Sequence, residues 1–335
     1  MSRPAASQPA AAQLAVGSQT AAAQVAGAKT TGSQAVASGQ ARRRRADDRA
    51  AEAKNRLSSP GVSAAALAIA FFWTVPTAGL LVTSFRDDRR EISRSGWWEA
   101  FLPSHWGEFG LGNYATALGS QNKLGTYFIN SFVVTVPAVV IPICLALLAA
   151  YAFAWIEFRG RNILFVAVFT LQVVPIQVTM IPLLTRYVEW GLNGTYWVLW
   201  LSHTMFGLPL AVFLLHNFMR EIPRSLIEAA RVDGAGHVRI FLRVILPLMT
   251  PAIASFAIFQ FLWVWNDLLV ALAFAGNTPA VAPLTARLSD MVGSRGSAWY
   301  LLSAGAFISM AVPMAVFLAL QRFFVRGLLA GSVKG

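Results

Sequence analysis

Long apolar stretches with very few charged residues dominate the sequence. Six of them approach or exceed the roughly 20 residues that a helix needs to cross a bilayer, and Asp267, near the end of the fifth, is their only ionisable Asp, Glu, Lys or Arg. The pattern therefore predicts an all-α integral membrane protein with six transmembrane helices. The predicted spans are 57–85, 124–156, 162–185, 190–219, 251–275 and 296–321.

The basic residues predict the orientation of these spans, because short cytoplasmic loops retain Lys and Arg. The tail to Arg56, the loops 157–161 and 220–243 and the end from Arg322 together hold 19 basic and 7 acidic residues. The rest of the chain holds 8 of each, counting Asp267. Both termini are therefore predicted to be cytoplasmic. This topology accounts for the formal net charge of +12, which gives no support to a nucleic-acid partner.

Composition separates a tail from a membrane domain. Residues 1–56 are rich in Ala, Gln, Ser and Gly and end in mixed charge after the arginine run 42–45, so we predict a disordered cytoplasmic tail. Residues 57–335 form the predicted six-helix domain. The arginine run either is a solvated, topology-fixing feature or contacts anionic lipid.

The sequence lacks the residues that nucleotide-binding, metal-binding and disulfide-rich proteins need. No Gly-Lys pair exists for a phosphate loop, and the four histidines are isolated and outside any H-E-x-x-H pattern. The one cysteine, Cys144, excludes a disulfide scaffold and is predicted to be a buried thiol. Prolines inside the spans favour a helical bundle with a pathway, since freed backbone groups are tolerated beside a water-lined cavity. An enzyme is not indicated.

The segment 220–250, "REIPRSLIEAARVDGAGHVRIFLRVILPLMT", has the features of two short helices joined by a sharp turn. Pro223 suits a helix start, and Gly234 and Gly236 suit a helix end with positive φ. On the first helix Leu226, Ala229, Ala230 and Asp233 fall along one side. The alanine pair leaves a surface that another backbone can approach closely. A second helix is predicted to carry a stripe of Val238, Phe241, Leu242 and Ile245.

This segment resembles the EAA loop of binding-protein-dependent ABC importer permeases, whose pattern is EAA-x3-G-x9-I-x-L-P. Val244 replaces the Ile, and the other matching positions are Glu228, Ala229, Ala230, Gly234, Leu246 and Pro247. From about Asn113 onward the chain is similar to the carbohydrate, maltose-type branch, and within it to α-glucoside permeases. The supporting stretches are "YFINSFVV", "VVPIQ", "IPLL", "FLWVWNDLLVALAF" and "FFVRGLLAGSVKG".

The resemblance implies a type I ABC importer permease fold in the plasma membrane of a bacterium or archaeon. It implies three partners, namely a second permease subunit, a cytoplasmic ATPase dimer and an extracytoplasmic solute-binding protein. ATP and Mg would bind the ATPase, and no cofactor would bind this chain. Asp233 and the matching residues of the loop would form the coupling site, and the external loop 276–298 would contact the binding protein.

Solute contacts are predicted from the chemistry of sugars, which bind aromatic faces and hydrogen-bonding side chains. Each candidate has an alternative, because Trp at a span end is often an interfacial anchor and a lone Asn or Gln often packs between helices. The candidates are Asn130, Gln172, Gln177, Trp263, Trp265, Asn266 and Asp267.

Two other functions remain open at this point. The first is an ABC permease for another solute, such as a polyol, a phosphodiester-sugar or an oligopeptide. The second is a secondary transporter or channel, which the scarcity of ionisable residues within the spans disfavours.

Overall fold

The computed structural model describes residues 60–87, 96–119, 121–293 and 299–332, and the predicted tail 1–56 lies outside them. The chain divides into two compact units, Met1–Pro76 and Thr77–Gly335. Of the first unit the structure describes 60–76, the N-terminal turns of helix α1, Pro60–Phe85. At a rise of 1.5 Å per residue its 26 residues extend about 39 Å, more than the hydrocarbon core of a bilayer.

The second unit consists of helices and connecting turns, and its described residues contain no β-strand, only an isolated β-bridge between Arg86 and Phe109. Short 3₁₀-helices, Trp97–Phe101 and Pro103–Glu108, follow α1. The further helices are α2 Gly112–Leu118, α3 Leu124–Trp155, α4 Arg161–Thr170, α5 Ile176–Glu189, α6 Tyr196–Arg220, α7 Arg224–Val232, α8 His237–Ile240, α9 Leu246–Leu248, α10 Thr250–Trp265, α11 Leu269–Phe274, α12 Leu284–Gly293 and α13 Trp299–Ser332.

Within the described residues, four helices are long and apolar enough to span a membrane, namely α1, α3, α6 and the Trp299–Ala319 part of α13. Two bent helix pairs bring the number to as many as six if each pair is one span. The all-α prediction is therefore confirmed. The count of six lies at the upper limit of what helix length and composition allow.

The third predicted span is broken rather than continuous. A 3₁₀ turn, Leu171–Val173, follows α4, and the chain bends by 98° before α5. Pro175 is the N-cap of α5 and has extended backbone angles, which prevent a continuous helix. Pro175 therefore breaks the span, whereas Pro137, Pro142 and Pro209 lie inside unbroken helices.

The fifth span was predicted as one helix over 251–275, and this boundary is wrong. Helix α10 ends at Trp265, and a separate helix α11 begins at Leu269. The Asp267 carboxylate accepts a hydrogen bond from the Ala271 N–H at 3.0 Å and so stabilises a new helix start. The Asn266 side chain donates back to the Leu262 carbonyl at 2.8 Å.

Helices α3 and α6 form the centre of the unit through small residues. Ala138, Ala146 and Ala211 are fully buried, which lets the two backbones approach. A Cβ on Gly207 would lie 2.7 Å from the Gln260 side chain, so glycine makes room for the amide of α10. That amide donates to the Ala138 carbonyl at 3.2 Å. Cys144 is exposed on α3, so its predicted burial is wrong.

A buried ion pair joins the end of α1 to the 3₁₀ segment after it. The Arg86 side chain is 1% exposed, and its Nε and Nη2 donate to Glu108 Oε2 at 2.9 and 2.8 Å. His105 Nδ1 contacts the other carboxylate oxygen of Glu108. The Asn113 amide donates to the Arg86 carbonyl at 2.6 Å, so α2 is joined to the same cluster.

This cluster makes stability depend on pH. Burial alone would raise the pKa of Glu108, but the hydrogen bonds from His105 and Arg86 and their charges outweigh it and hold the pKa below 4.5. A depressed folded pKa stabilises the protein above about pH 4.5, and that contribution is lost as the pH falls through the folded value. We expect the melting temperature of the wild type to fall more steeply below about pH 5 than that of Glu108→Gln. Parallel curves in detergent would contradict this assignment.

Candidate functional site

The segment 220–250 folds as the predicted helix, turn and helix. Pro223 is the N-cap of α7, and α7 ends in a Schellman motif. The Gly234 N–H donates to the Arg231 carbonyl and the Ala235 N–H to the Ala230 carbonyl, both at 2.9 Å. Gly234 has φ +76°, as predicted.

Gly236, in contrast, does not have the predicted positive φ. Its φ is −75° and its ψ is 170°, because it is the N-cap of α8 rather than part of the end of α7. Only one of the two glycines therefore needs the conformational freedom of glycine.

Helix α7 buries one residue and exposes most of the others. Ile227 is 3% exposed and packs in a core cluster with Met219 and Ile240. Leu226 and Val232 are 44% and 88% exposed, which leaves an apolar surface on the outer side of the helix. Of the seven predicted coupling residues, Ala230 and Leu246 are half-buried, and five are exposed: Glu228, Ala229, Asp233, Gly234 and Pro247.

The predicted stripe on the second helix is wrong in part. Val238 and Leu242 are exposed, whereas the buried line runs through Ile240, Ile245 and Met249. A π-helical turn, Phe241–Ile245, causes the difference, because its wider turn adds one residue between the buried positions. The α-helical spacing of three and four residues, from which the stripe was predicted, could not reveal this π-helical turn.

One contact joins the turn after α7 to the transmembrane bundle. The hydroxyl of Tyr151, a buried residue near the end of α3, lies 2.9 Å from Nδ1 of His237, and its ring meets the Phe241 ring edge-on. The segment after α7 is therefore in direct contact with the end of α3. Tyr151 could not be identified from the sequence, because an aromatic residue in an apolar span carries no distinctive signal.

Two predicted solute contacts form hydrogen bonds within the protein. Asn130 is buried, donates to the Pro279 and Ala282 carbonyls at 2.9 and 3.0 Å and accepts from the Tyr196 hydroxyl at 2.7 Å. Trp265 is 2% exposed and donates to the Ser309 carbonyl at 3.1 Å. Both groups spend their hydrogen bonds within the protein, which favours the packing alternative.

Three other candidates lie around the break between α10 and α11. The Asp267 carboxylate lies 3.5 Å from Nε2 of His203, a residue that is 1% exposed. Nδ1 of the same histidine lies 2.8 Å from the Leu199 carbonyl, and the Trp263 ring packs edge-on against the imidazole. Asn266 is exposed. This arrangement orients the broken helix, and it leaves Asn266 and one side of Trp263 accessible.

The remaining two candidates share a cavity. Gln172 and Gln177 line a cavity of about 630 Å³ beside the bend between α4 and α5. Thr179 and Phe206 line it too, so amide, hydroxyl and aromatic groups converge there. Its volume is within the range of small-molecule sites. The described residues contain no cluster of three or more His, Cys, Asp or Glu side chains that could hold a metal ion.

Comparison with known proteins gives consistent matches. Residues 142–330 match the family model described as the binding-protein-dependent transport system inner membrane component. The osmoprotective compounds uptake permease protein GgtD of Synechocystis sp. is 56% identical over 271 residues, which are 81% of this chain and 90% of that protein. The alpha-glucoside transport system permease protein AglG of Rhizobium meliloti is 54% identical, over 68% of this chain and 61% of that protein.

The fold has a counterpart among solved structures. A chain of a bacterial ABC transporter involved in the import of the acidic polysaccharide alginate superposes with a TM-score of 0.63. The alignment covers 78% of this chain and 95% of that chain, at 22% sequence identity. This similarity shows the fold and does not indicate which solute this chain transports.

Proposed function

Because this chain belongs to the family of binding-protein-dependent transport system inner membrane components, we propose that it is the permease subunit of an ATP-driven importer for a sugar of the α-glucoside class. The α7 turn carries the proposal, since it presents an exposed small and apolar surface closed by a left-handed glycine. An osmoprotective compound is the second candidate solute, because a relative with 56% identity is named for such uptake.

The topology that we propose has six spans, with α4–α5 and the helices of His237–Trp265 each counted as one bent span. Both termini are cytoplasmic in this proposal. It is supported by the excess of basic residues in the loops 157–161 and 220–243, because short cytoplasmic loops retain Lys and Arg. The segment 220–250 then faces the cytoplasm.

In the cytoplasm α7 would dock into a cleft of an ABC ATPase dimer. The exposed Ala229 and half-buried Ala230 permit close backbone approach, and Leu226 and Val232 supply apolar area. Glu228 and Asp233 would meet basic groups of the ATPase, and Gly234 would hold the turn. Leu246 and Pro247 lead the second helix into α10, so closure of the ATPase would move the membrane helices.

The nucleotide would be hydrolysed by this ATPase with Mg, and the permease would bind no cofactor of its own. A second permease subunit would complete the pathway, and an extracytoplasmic binding protein would deliver the solute. The family description supports the binding protein, since it names binding-protein-dependent transport.

The cavity beside the α4–α5 bend is the part of the solute pathway that we assign to this chain. The Gln172 and Gln177 amides can each donate and accept hydrogen bonds to sugar hydroxyls. Trp263 and Asn266 border the pathway in this proposal. Asn130, Trp265 and Asp267 form hydrogen bonds that position the helices around it.

Removal of either cavity amide should weaken solute handling. A lost hydrogen bond costs about 1 kcal/mol, so we expect Gln172→Ala or Gln177→Ala to raise the transport KM about fivefold at unchanged ATPase co-purification. Asn193→Ala is the control, since this exposed amide lies outside the cavity lining. Equal KM values in all variants would remove the cavity from the pathway.

The proposed function is tested by purifying the complex from native membranes through a tag on this chain. We expect a second permease and an ATPase to co-purify, and we expect a binding protein loaded with an α-glucoside to stimulate ATP hydrolysis. Stimulation by an osmoprotective compound alone would establish the second candidate. Recovery of this chain alone, with transport that needs no ATP, would overturn the proposal.

A further inference from the structure

A small cavity of about 140 Å³ lies between the end of α3 and the flank of α7. Neither the solute pathway nor the exposed apolar side of α7 accounts for its composition. Its polar lining consists of Trp155, Glu157, Arg161, Arg224, Glu228 and Arg231.

The cavity is lined by one buried hydrogen-bond donor without an acceptor among the described residues and by three arginines. Trp155 Nε1 is buried without a hydrogen-bond partner in the described part of the chain, and such a donor is costly unless an acceptor meets it. Arg224 and Arg231 form no ion pair with any described residue. Arg161 makes one long contact, from Nη1 to the Ile156 carbonyl at 3.3 Å. Four side chains thus offer donors to one small volume.

The charge of the lining indicates the kind of acceptor. Three guanidinium groups and two carboxylates leave a net charge of +1 around the cavity. A phosphodiester carries one negative charge and two free oxygens, which guanidinium groups bind well. Inorganic phosphate carries more charge near neutral pH and suits this lining less well.

An adjoining groove offers space for the rest of such a molecule. It has a volume of about 380 Å³ and shares Glu157 and Arg161 with the small cavity. Phe158 and Ile163 also line it, and Ile163 is 78% exposed at the start of α4. The polar cavity therefore continues into an apolar surface along a helix of the membrane domain.

We propose that these two cavities bind an anionic phospholipid, with the headgroup phosphodiester in the small cavity and an acyl chain along α4. Arg161, Arg224 and Arg231 neutralise the phosphate, and the Trp155 N–H donates to one of its oxygens. Basic pockets between helices on the cytoplasmic side are typical of lipid headgroup sites. The site goes beyond the proposed transport function, although it uses the same membrane orientation and its lining includes Glu228 of the proposed coupling helix.

The test is lipid binding to the full-length protein in detergent, followed by native mass spectrometry with phosphatidylglycerol and phosphatidylcholine. We expect phosphatidylglycerol to bind more tightly. Each basic group near an anionic headgroup contributes about 1 kcal/mol, so Arg161→Gln should weaken its binding about fivefold and Arg161→Gln with Arg224→Gln about 25-fold. Trp155→Phe keeps an aromatic ring, removes the N–H donor and should also weaken phosphatidylglycerol binding.

Arg159→Gln is the matched control. This exposed arginine belongs to the same loop, carries the same charge and lines neither cavity. Equal weakening by Arg159→Gln, or equal affinity for the two lipids, would overturn the proposal. Binding of inorganic phosphate as tight as that of phosphatidylglycerol would overturn the lipid assignment in favour of a free-anion site. Solute-stimulated ATP hydrolysis is a separate readout, so failure of the transport proposal leaves this result interpretable.

Discussion

Gly234→Val is expected to reduce solute-stimulated ATP hydrolysis by a factor of about ten or more, while the chain still inserts in the membrane. The Gly234 backbone has φ +76° within the Schellman motif that ends α7. A residue with a Cβ loses about 1–2 kcal/mol in this conformation, and a β-branched residue is more strongly disfavoured. The turn would rearrange, and the proposed docking surface would lose its shape. ATPase co-purification and stimulated hydrolysis measure the effect.

Two controls separate backbone strain from bulk. Asn tolerates the left-handed region, so Gly234→Asn should retain most of the activity. Gly236→Ala adds a Cβ two residues away, where φ is −75° and no heavy atom lies within 4 Å of the new Cβ. It should behave like the wild type. If Gly236→Ala were as damaging as Gly234→Val, the left-handed turn could not be the reason.

Arg86→Met should lower the free energy of unfolding by about 1.5–3 kcal/mol, because it removes the charged hydrogen bonds of a buried guanidinium and leaves Glu108 with His105 as its partner. The guanidinium contacts Glu108 through two nitrogens and also donates to the Gly96 carbonyl at 3.3 Å. Methionine keeps the apolar part of the side chain and removes the charge. Thermal unfolding in detergent at neutral pH measures the loss.

The control for this prediction is an exposed pair. Arg186 and Glu189 are 2.7 Å apart with side chains 64% and 49% exposed, so Arg186→Met should change stability by about 1 kcal/mol or less. Arg86→Met combined with Glu108→Leu should recover part of the stability, since it removes both charges. Equal losses of unfolding free energy in Arg86→Met and Arg186→Met would show that burial does not strengthen the Arg86–Glu108 pair.

The solute candidates show where reasoning from residue type stops. A polar side chain in an apolar span is a distinctive signal, yet Asn130 bonds to the carbonyls of Pro279 and Ala282, more than a hundred residues away. Gln172 and Gln177 gave the same signal and line a cavity. Periodicity within one helix cannot separate these cases, because the neighbours come from other parts of the chain.

The sequence by itself determined the all-α class, the stretches long enough to cross a membrane and the EAA turn with its left-handed Gly234. These follow from local chemistry, namely the apolar length of a span, the cost of charge in lipid and the backbone freedom of glycine. Tertiary structure decided the rest. The buried Arg86–Glu108 pair and the basic cavity at Trp155 each join segments that lie apart in the sequence. Packing between segments that are distant in the sequence determines which polar groups are buried. Burial in turn decides whether such a group bonds within the protein or is available to a ligand.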